Sequence, residues 1–401
     1  MPRIILDLSR LLSRTLHPTP TGVDRVEMAY ARGLLASAAG RLSFAAVHPT
    51  GRYGRLPTDD VLRFLDRTEA RWENEGRSDP WILRRSAMAT LAALRPRPVP
   101  SGNGADATVY VQASPHHLTK PNLVRAILAR ERAHFICLIH DLIPLEYPEY
   151  ARPDGAAQHR IRIETVVRQA RGIMANSHAT LASLQPWITR LDCSPLVDVA
   201  HLGTHVATSD RPSRFDTQTR PYFVSIGTIE PRKNHLLLLN LWRRMSEDHG
   251  ALAIPKLVLI GRRGWENEQI VDMLERCPAL VGCVEEHGGL SDTDARALLK
   301  GARALLMPSF AEGYGMPVTE ALDLGVPVLC SDLPALREAG GTVPLFLDPL
   351  DGPAWRTAID AYADLDHPER LRQLARMPQW ERPSWKYHIA RLETMISACA
   401  S

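Results

Sequence analysis

Two carboxylates eight residues apart, Glu312 and Glu320, bracket Gly313, Gly315 and Pro317 within the stretch Met307 to Gly341. The apolar run ending at Leu305 to Pro308 reads as a buried strand, and Pro317 suits the first turn of a helix. That spacing predicts Glu312 on a loop and Glu320 in a helix's opening turns. Glycine lets backbone N–H groups approach a ligand closely, so Gly313-Tyr314-Gly315 ahead of a helix N-terminus predicts a donor-rich concavity. Carboxylates accept hydrogen bonds from hydroxyls without being consumed, so one glutamate could hold a sugar ring and the other a ribose. The plain alternative is a pair of surface glutamates flanking a strand-loop-helix turn.

Three other places carry chemistry. Tyr222 to Gly227 reads as a strand ending in glycine, followed by Thr228-Ile229-Glu230-Pro231-Arg232-Lys233-Asn234 and a leucine-rich helix. Two cations at a helix N-terminus oppose its macrodipole, at roughly 0.3–1 kcal/mol each when exposed, so an anion is expected beside Arg232 and Lys233, and a diphosphate would serve. Phe135 to Ile139 reads as a buried strand that delivers His140 and Asp141 at its C-terminal end, where open α/β sheets bind ligands. His140 either holds a sugar hydroxyl or is a core histidine satisfied by Asp141. Near the start, His17-Pro18-Thr19-Pro20-Thr21-Gly22 joins a strand to a helix, either a nucleotide-binding turn or an ordinary tight one.

These segments resemble retaining glycosyltransferases of the large GT-B family that includes glycogen synthases and bacterial mannosyltransferases. The match runs through Glu312, seven intervening residues and Glu320, then Gly325-Val326-Pro327-Val328 and Ser331-Asp332; His140-Asp141-Leu142-Ile143-Pro144 and Tyr147-Pro148-Glu149-Tyr150 add to it. The resemblance implies that Glu312 and the amides of Gly315 and Met316 contact the donor hexose and that Glu320 contacts the nucleotide ribose. It further implies that Lys233 grips the donor phosphates, with Gly227 and Thr228 beside it, and that His140 lies over the hexose with Asp141 on the acceptor side. Gly22 falls where the family places a glycine against the donor phosphate or the acceptor. One departure is Thr228, where many members carry arginine: either Arg232 takes over that charge or the phosphate grip is weaker.

By the same resemblance the reaction is metal-independent hexosyl transfer with retention, by a front-face route, since no aspartate or glutamate stands out as a double-displacement nucleophile. The Thr21-Gly22-Val23-Asp24-Arg25-Val26 form resembles the subset that builds bacterial surface polysaccharides, and Gly227 to Asn234 looks most like mannosyl- and rhamnosyltransferases. That favours GDP-mannose, with UDP- or dTDP-sugars as other donors, and a saccharide or lipid-linked saccharide acceptor. A sugar-nucleotide epimerase of the same architecture, or a non-catalytic sugar-binding relative, are the rival readings.

The elements that must position these residues alternate strand and helix throughout, which predicts α/β architecture with parallel sheets in two Rossmann-like domains facing a central cleft. With 401 residues, two cores are expected. The boundaries read as 1–206, a polar linker at 207–221, a nucleotide-sugar domain at 222–382, and a terminal helix at 383–401 packing back on the first domain. A net charge of +3 gives no argument for nucleic acid, and basic residues are nearly all arginine, with five lysines. Six scattered cysteines without CxxC pairing predict reduced thiols, no cofactor is called for, and the lone Asp364-Leu365-Asp366 triplet reads as a turn, not a metal site. Without an apolar run of membrane-spanning length or a signal peptide the chain is expected in the cytoplasm. Trp81 to Pro100 carries Arg84, Arg85, Arg95 and Arg97 and no carboxylate. It reads either as an interfacial helix on anionic lipid or as a packed helix with solvated arginines.

Overall fold

The computed structural model describes residues 1–74, 79–98, 107–204 and 220–401. Residues 207–219 of the expected linker and 99–100 at the end of the basic segment lie outside them. The chain divides into two compact units, one of Met1–Glu146, Pro153–Gly203 and Pro383–Ser401, the other of Tyr147–Arg152 and Thr204–Arg382.

The first unit is built on strands β1 (Arg3–Asp7), β2 (Leu42–Val47), β3 (Tyr53–Leu56), β4 (Thr108–Gln112), β5 (Ala133–Ile139), β6 (Gly172–Ala175) and β7 (Leu196–Val199). Their order is β3-β2-β1-β4-β5-β6-β7. All neighbours run parallel except β3, which pairs antiparallel at one edge. Helices cover both faces, so central strands such as β4 and the last five residues of β5 are buried throughout, as near-continuous apolar runs predict.

Sequence reading passes over β3, which is short, opens the poorly patterned stretch from Gly51 to Thr108, and contains a glycine and an arginine. The terminal helix Trp385–Ala400 belongs to this unit. Gly33 of the helix Gly22–Ala38 makes the approach possible, because a Cβ there would lie 2.5 Å from Ile389 Cγ1. The buried His388 locks it, its Nδ1 donating to the His201 carbonyl (3.1 Å) and its Nε2 accepting from the Tyr30 hydroxyl (2.7 Å). Burial pushes the His388 pKa down to about 4, which keeps the ring neutral for both bonds.

The second unit has a six-stranded, fully parallel sheet of β8 (Tyr222–Ile226), β9 (Lys256–Ile260), β10 (Val284–His287), β11 (Leu305–Met307), β12 (Val328–Ser331) and β13 (Leu345–Leu347), in the order β10-β9-β8-β11-β12-β13. Trp242 and Trp355 are fully buried in its core. Each still places its indole N–H on a carbonyl, Pro255 and Asp348 respectively, so neither large side chain leaves an unpaired donor. Among the described residues, no helix is long and apolar enough to cross a membrane.

Candidate functional site

In the second unit the strand order reverses between β8 and β11, which are neighbours and run the same way. Loops leaving the C-terminal ends of two such strands diverge to opposite faces of the sheet and open a crevice between them. That topology brings residues some eighty positions apart into contact. Lys233 Nζ lies 2.5 Å from Glu312 Oε1, and Arg232 Nη1 lies 3.0 Å from Glu312 Oε2. Backbone bonds fasten the two loops: Phe310 N–H donates to the Arg232 carbonyl (2.7 Å), and Arg232 Nη1 donates to the Ala311 carbonyl (2.9 Å). Ser309 Oγ donates to Glu312 Oε1 (2.7 Å), and Glu230 pairs with Arg232 Nε (2.6 Å).

The electrostatics follow from this packing. The Glu312 and Lys233 side chains are 6% and 11% exposed. Burial alone would push the Glu312 carboxyl up, but Lys233 and Arg232 beside it, with hydrogen bonds from Lys233 and Ser309, hold it down at about 2. Glu312 is therefore ionised across the working pH range and can only accept hydrogen bonds, which fits it to hold sugar hydroxyls and unfits it for general acid catalysis. Burial, aided by Arg232, pulls the Lys233 ammonium below the usual lysine range against the opposing pull of Glu312.

The expected anion beside the two cations is thus supplied by the protein itself. Glu312 and Glu230 compensate Arg232 and Lys233, so a diphosphate would join an existing charge network instead of filling a bare cationic site. Pro231–Lys233 forms one turn of 3-10 helix, and the leucine-rich helix begins at His235, after Asn234 in the left-handed region.

Glycines shape the floor. Gly227 has φ +152°, a backbone conformation that L side chains rarely adopt, and a Cβ there would stand 3.3 Å from Lys233 Cε, so the flexible lysine would have to give by a few tenths of an ångström. Gly315, with φ +109°, caps the helix Met316–Asp323, and a Cβ would lie 2.6 Å from Leu336 Cδ2. Gly313 to Met316 lead into this helix's first turn, where Val318 N–H donates to the Gly315 carbonyl (2.9 Å). Tyr314 is 3% exposed, so its ring serves the core and only its backbone is offered to a ligand. Glu320, half-buried, stands one helical turn beyond Met316. Thr228 is half-buried on the loop after Gly227, and Ile229 N–H holds that loop to the Arg262 carbonyl (2.9 Å).

Gly22, His140 and Asp141 lie in the first unit. His140 Nε2 sits 2.7 Å from the Ala113 carbonyl, which can only accept, so that nitrogen carries the proton. Burial pushes the ring's pKa down, leaving it neutral with Nδ1 as its acceptor. The reading of His140 as a ring satisfied by Asp141 is corrected: the Ala113 carbonyl holds the ring, while Asp141 Oδ1 accepts from Ile143 N–H (3.1 Å) and starts a short helix.

Gly22 is the first residue of its helix, behind a capping box in which Asp24 Oδ2 accepts from Thr21 N–H (2.7 Å) and Thr21 Oγ1 from Asp24 N–H (3.4 Å). Arg10 (2.7 Å) and Arg14 (3.4 Å) clamp Asp24. The anion at this helix end is the chain's own Asp24.

Sequence reading missed Ser309 and Glu230 as members of the cluster. It also missed a stack in which Tyr150 lies parallel to Phe310, with centroids 5.8 Å apart and planes at 10°. Nothing in residue type distinguishes Ser309. Glu230 could have been suspected from its place two residues ahead of Arg232.

Residues 207–341 match the family model described as "Glycosyl transferases group 1". The chain is 38% identical over 130 residues to the O-antigen chain mannosyltransferase B of Escherichia coli, covering 32% of this chain and 33% of that protein. It is 23% identical over 357 residues to the E. coli serotype-specific mannosyltransferase WbdA, covering 84% of this chain and 39% of that one. The chain therefore spans about a third of the length of the curated relatives it matches.

Among solved structures it superposes on Anabaena Alr3699/HepE in complex with UDP and glucose (TM-score 0.62, 14% identity, covering 98% and 100%) and on sucrose-phosphate synthase from Thermosynechococcus elongatus (TM-score 0.63, 14% identity, covering 99% and 100%). These likenesses show the GT-B fold, with a parallel sheet in each unit. Residues 207–341 are thus similar to the group 1 glycosyl transferases, and the chain takes the GT-B fold.

Proposed function

We propose that the chain transfers a hexose, with retention and without a metal ion, from a nucleotide-sugar to a saccharide acceptor, with GDP-mannose as the favoured donor. The observation that carries this reading is the Arg232–Lys233–Glu312 network at the crevice between β8 and β11. It places two cations beside a permanently ionised hydrogen-bond acceptor and a glycine-capped helix N-terminus. Charge on the departing diphosphate grows as the glycosidic bond breaks, and preorganised cations lower that barrier. Glu312 would fix the hexose, and Glu320 the ribose, with Gly227, Thr228, Gly313 and the amides of Gly315 and Met316 lining the donor. Gly22, His140 and Asp141 would serve the acceptor and the hexose. The mannosyltransferase names of the curated relatives support the sugar, and UDP in the HepE structure makes a uridine donor the first competitor to test.

A thermal-shift screen over GDP-mannose, UDP-glucose and dTDP-rhamnose decides the donor, since a ligand at 100 times its Kd stabilises by roughly 2.7 kcal/mol. The expected result is a shift with GDP-mannose well above the others. No shift with any nucleotide-sugar would remove the reading.

Because Arg232 and Lys233 already supply positive charge where the diphosphate would lie, turnover is expected to persist in excess EDTA. Complete loss, restored by manganese or magnesium, would show that a divalent ion carries that charge.

We further propose a lipid-linked acceptor met at an anionic bilayer surface on the cytoplasmic side. The helix Pro80–Ala93 buries only a narrow stripe including Leu83 and Ala87, and leaves Trp81, Ile82 and Met88 at 76%, 68% and 66% exposed beside the exposed Arg84 and Arg85. Basic residues with exposed apolar ones suit a helix lying at a headgroup boundary. Sedimentation with phosphatidylglycerol vesicles should fall when Arg84, Arg85, Arg95 and Arg97 become Glu, and fall further with Trp81→Ala. Unchanged sedimentation of both variants would leave those side chains as ordinary solvated surface.

A further inference from the structure

The segment Tyr147–Arg152 packs with the second unit, although the chain on both sides of it builds the first. Its local fold follows from Tyr147-Pro148-Glu149-Tyr150. Proline opens a single turn of 3-10 helix, Pro148–Tyr150, and Tyr150 N–H closes that turn on the Tyr147 carbonyl (3.0 Å). With three residues per turn, side chains at i and i+3 eclipse, so Tyr147 lies on Tyr150, with ring centroids 5.9 Å apart and planes at 24°. Through Tyr150 the stack reaches Phe310.

Loops after three neighbouring strands hold these rings. Phe310, after β11, donates its N–H to the carbonyl of Arg232, after β8 (2.7 Å). Trp265, after β9, donates its indole N–H to the Tyr150 carbonyl (2.9 Å). Arg152 sits over the Trp265 ring, 5.0 Å from its centroid, in a cation–π contact. The three strands run parallel, so all three loops leave the carboxyl edge of the sheet, the edge that carries Arg232, Lys233 and Glu312.

These rings do not fill a core. Phe223, Trp242 and Trp355, the large aromatics of this unit's core, are fully buried. Tyr150, Phe310 and Trp265 are half-buried, and Tyr147, at the end of the stack, is 40% exposed. An aromatic row fixed at the surface presents a flat ring face with a hydroxyl at its rim. The negative face of such a ring attracts the C–H groups that line one side of a pyranose, while the sugar's hydroxyls stay at the edge, within reach of water and the phenol. A nucleobase also stacks on aromatic rings, but the placement favours the sugar. Phe310 is tied to Arg232 and shares a loop with Glu312, to which the hexose is assigned above. Glu320, assigned to the ribose, stands on the helix beyond that loop, and the base lies past the ribose.

We propose that the Tyr147–Tyr150–Phe310 stack is a saccharide platform, on which the exposed Tyr147 ring seats a pyranose of the acceptor. The proposal rests on the glycosyltransferase reading above and deepens it by giving the acceptor a ring-face contact next to the donor crevice.

The test follows hexosides binding to the full chain by saturation-transfer NMR, with GDP saturating the donor site. Methyl α-mannopyranoside, methyl α-glucopyranoside and methyl α-galactopyranoside are the probes. At least one should bind, with transfer strongest to the C–H protons on a single side of its ring. Tyr147→Ala and Tyr147→Leu should each weaken that binding by about 5- to 30-fold, the scale of one lost aromatic contact. Tyr147→Phe, which keeps the ring, should stay near wild type, and GDP affinity should be the same throughout. Because Tyr147 stands at the exposed end of the stack, melting temperatures should not change. Unmoved hexoside binding in Tyr147→Ala, or transfer to no hexoside, would leave the stack as a scaffold for its loops and overturn the proposal. A loss of GDP affinity in Tyr147→Ala with hexoside binding intact would give the ring to the nucleobase and overturn it equally. Tyr147-dependent hexoside binding by a chain that binds no nucleotide would sink the donor reading and leave the platform standing.

Discussion

Replacing Lys233 by Ala should lower kcat at saturating donor by ~2–4 kcal/mol in barrier height, the loss typical of a preorganised charge stabiliser, or roughly 30- to 900-fold in rate. The ammonium is nearly buried, 2.5 Å from Glu312 Oε1, and its stem lies against Gly227. A charge held that firmly costs little to reorganise as the diphosphate departs. The same substitution strips Glu312 of its nearest cation, leaving Arg232 and Ser309. Removing one partner of a buried ion pair typically costs ~3–5 kcal/mol of stability, so the melting temperature should fall as well. Glu312 gives that loss a pH signature. Its folded pKa of about 2 lies below its ordinary 4.5, so its contribution to stability is present above pH 4.5 and lost as pH falls towards 2. Lys233→Ala should shrink this acid-sensitive part. Kinetics below the variant's melting transition separate the two effects, and Lys233→Arg, which keeps a charge, should fall between wild type and Lys233→Ala. A Lys233→Ala enzyme with wild-type kcat would remove Lys233 from the reaction.

The parts of this molecule legible from sequence are those where one physical rule acts on neighbouring residues. Buried parallel strands need apolar runs, so β2, β5, β8 and β11 announce themselves within a residue or two at each end. β10 does not, since three of its four residues are Glu285, Glu286 and His287. It is an edge strand laddered to β9, half-exposed, with Lys256 and Arg263 paired to those glutamates (2.6 and 2.8 Å). The candidate site was readable as a set of residue types and not as a set of neighbours. Nothing in the chain around Lys233 says that its counter-ion stands 79 residues away; that follows from β8 lying beside β11, a sheet-level fact. The anion expected beside Arg232 and Lys233 is found within the chain, as Glu312 and Glu230, and the distant one of these was hidden from sequence for the same reason. At Gly22 the missing anion was close in sequence, because Thr21 and Asp24 form a recognisable capping box.

Glu312 and Glu320 should separate by the step each serves. Glu320 sits on a helix one turn from the glycine-capped end, and its proposed partner, the ribose, is unchanged between ground and transition states. Glu320→Ala is therefore expected to raise the donor Kd by about 10- to 100-fold, the loss of a hydrogen bond to a charged group of ~1.5–3 kcal/mol, while kcat stays within a few-fold of wild type. Glu312 is different, since its two oxygens are shared among Lys233, Arg232 and Ser309 and it would hold the reacting ring itself. Removing it misplaces the hexose and frees both cations to move, so Glu312→Ala should cut kcat by at least 100-fold, through lost orientation and lost preorganisation. Donor affinity should weaken less than kcat, because the two released cations remain able to meet the diphosphate. Glu312→Gln, which keeps the shape but not the charge, should recover ring contacts and still leave Lys233 uncompensated, giving an intermediate rate. Calorimetry of donor binding and kcat at saturating donor, measured on the same preparations, resolve all of these. Glu320→Ala abolishing turnover with donor affinity untouched, alongside a fully active Glu312→Ala, would place the reacting hexose elsewhere and overturn the assignment of this crevice.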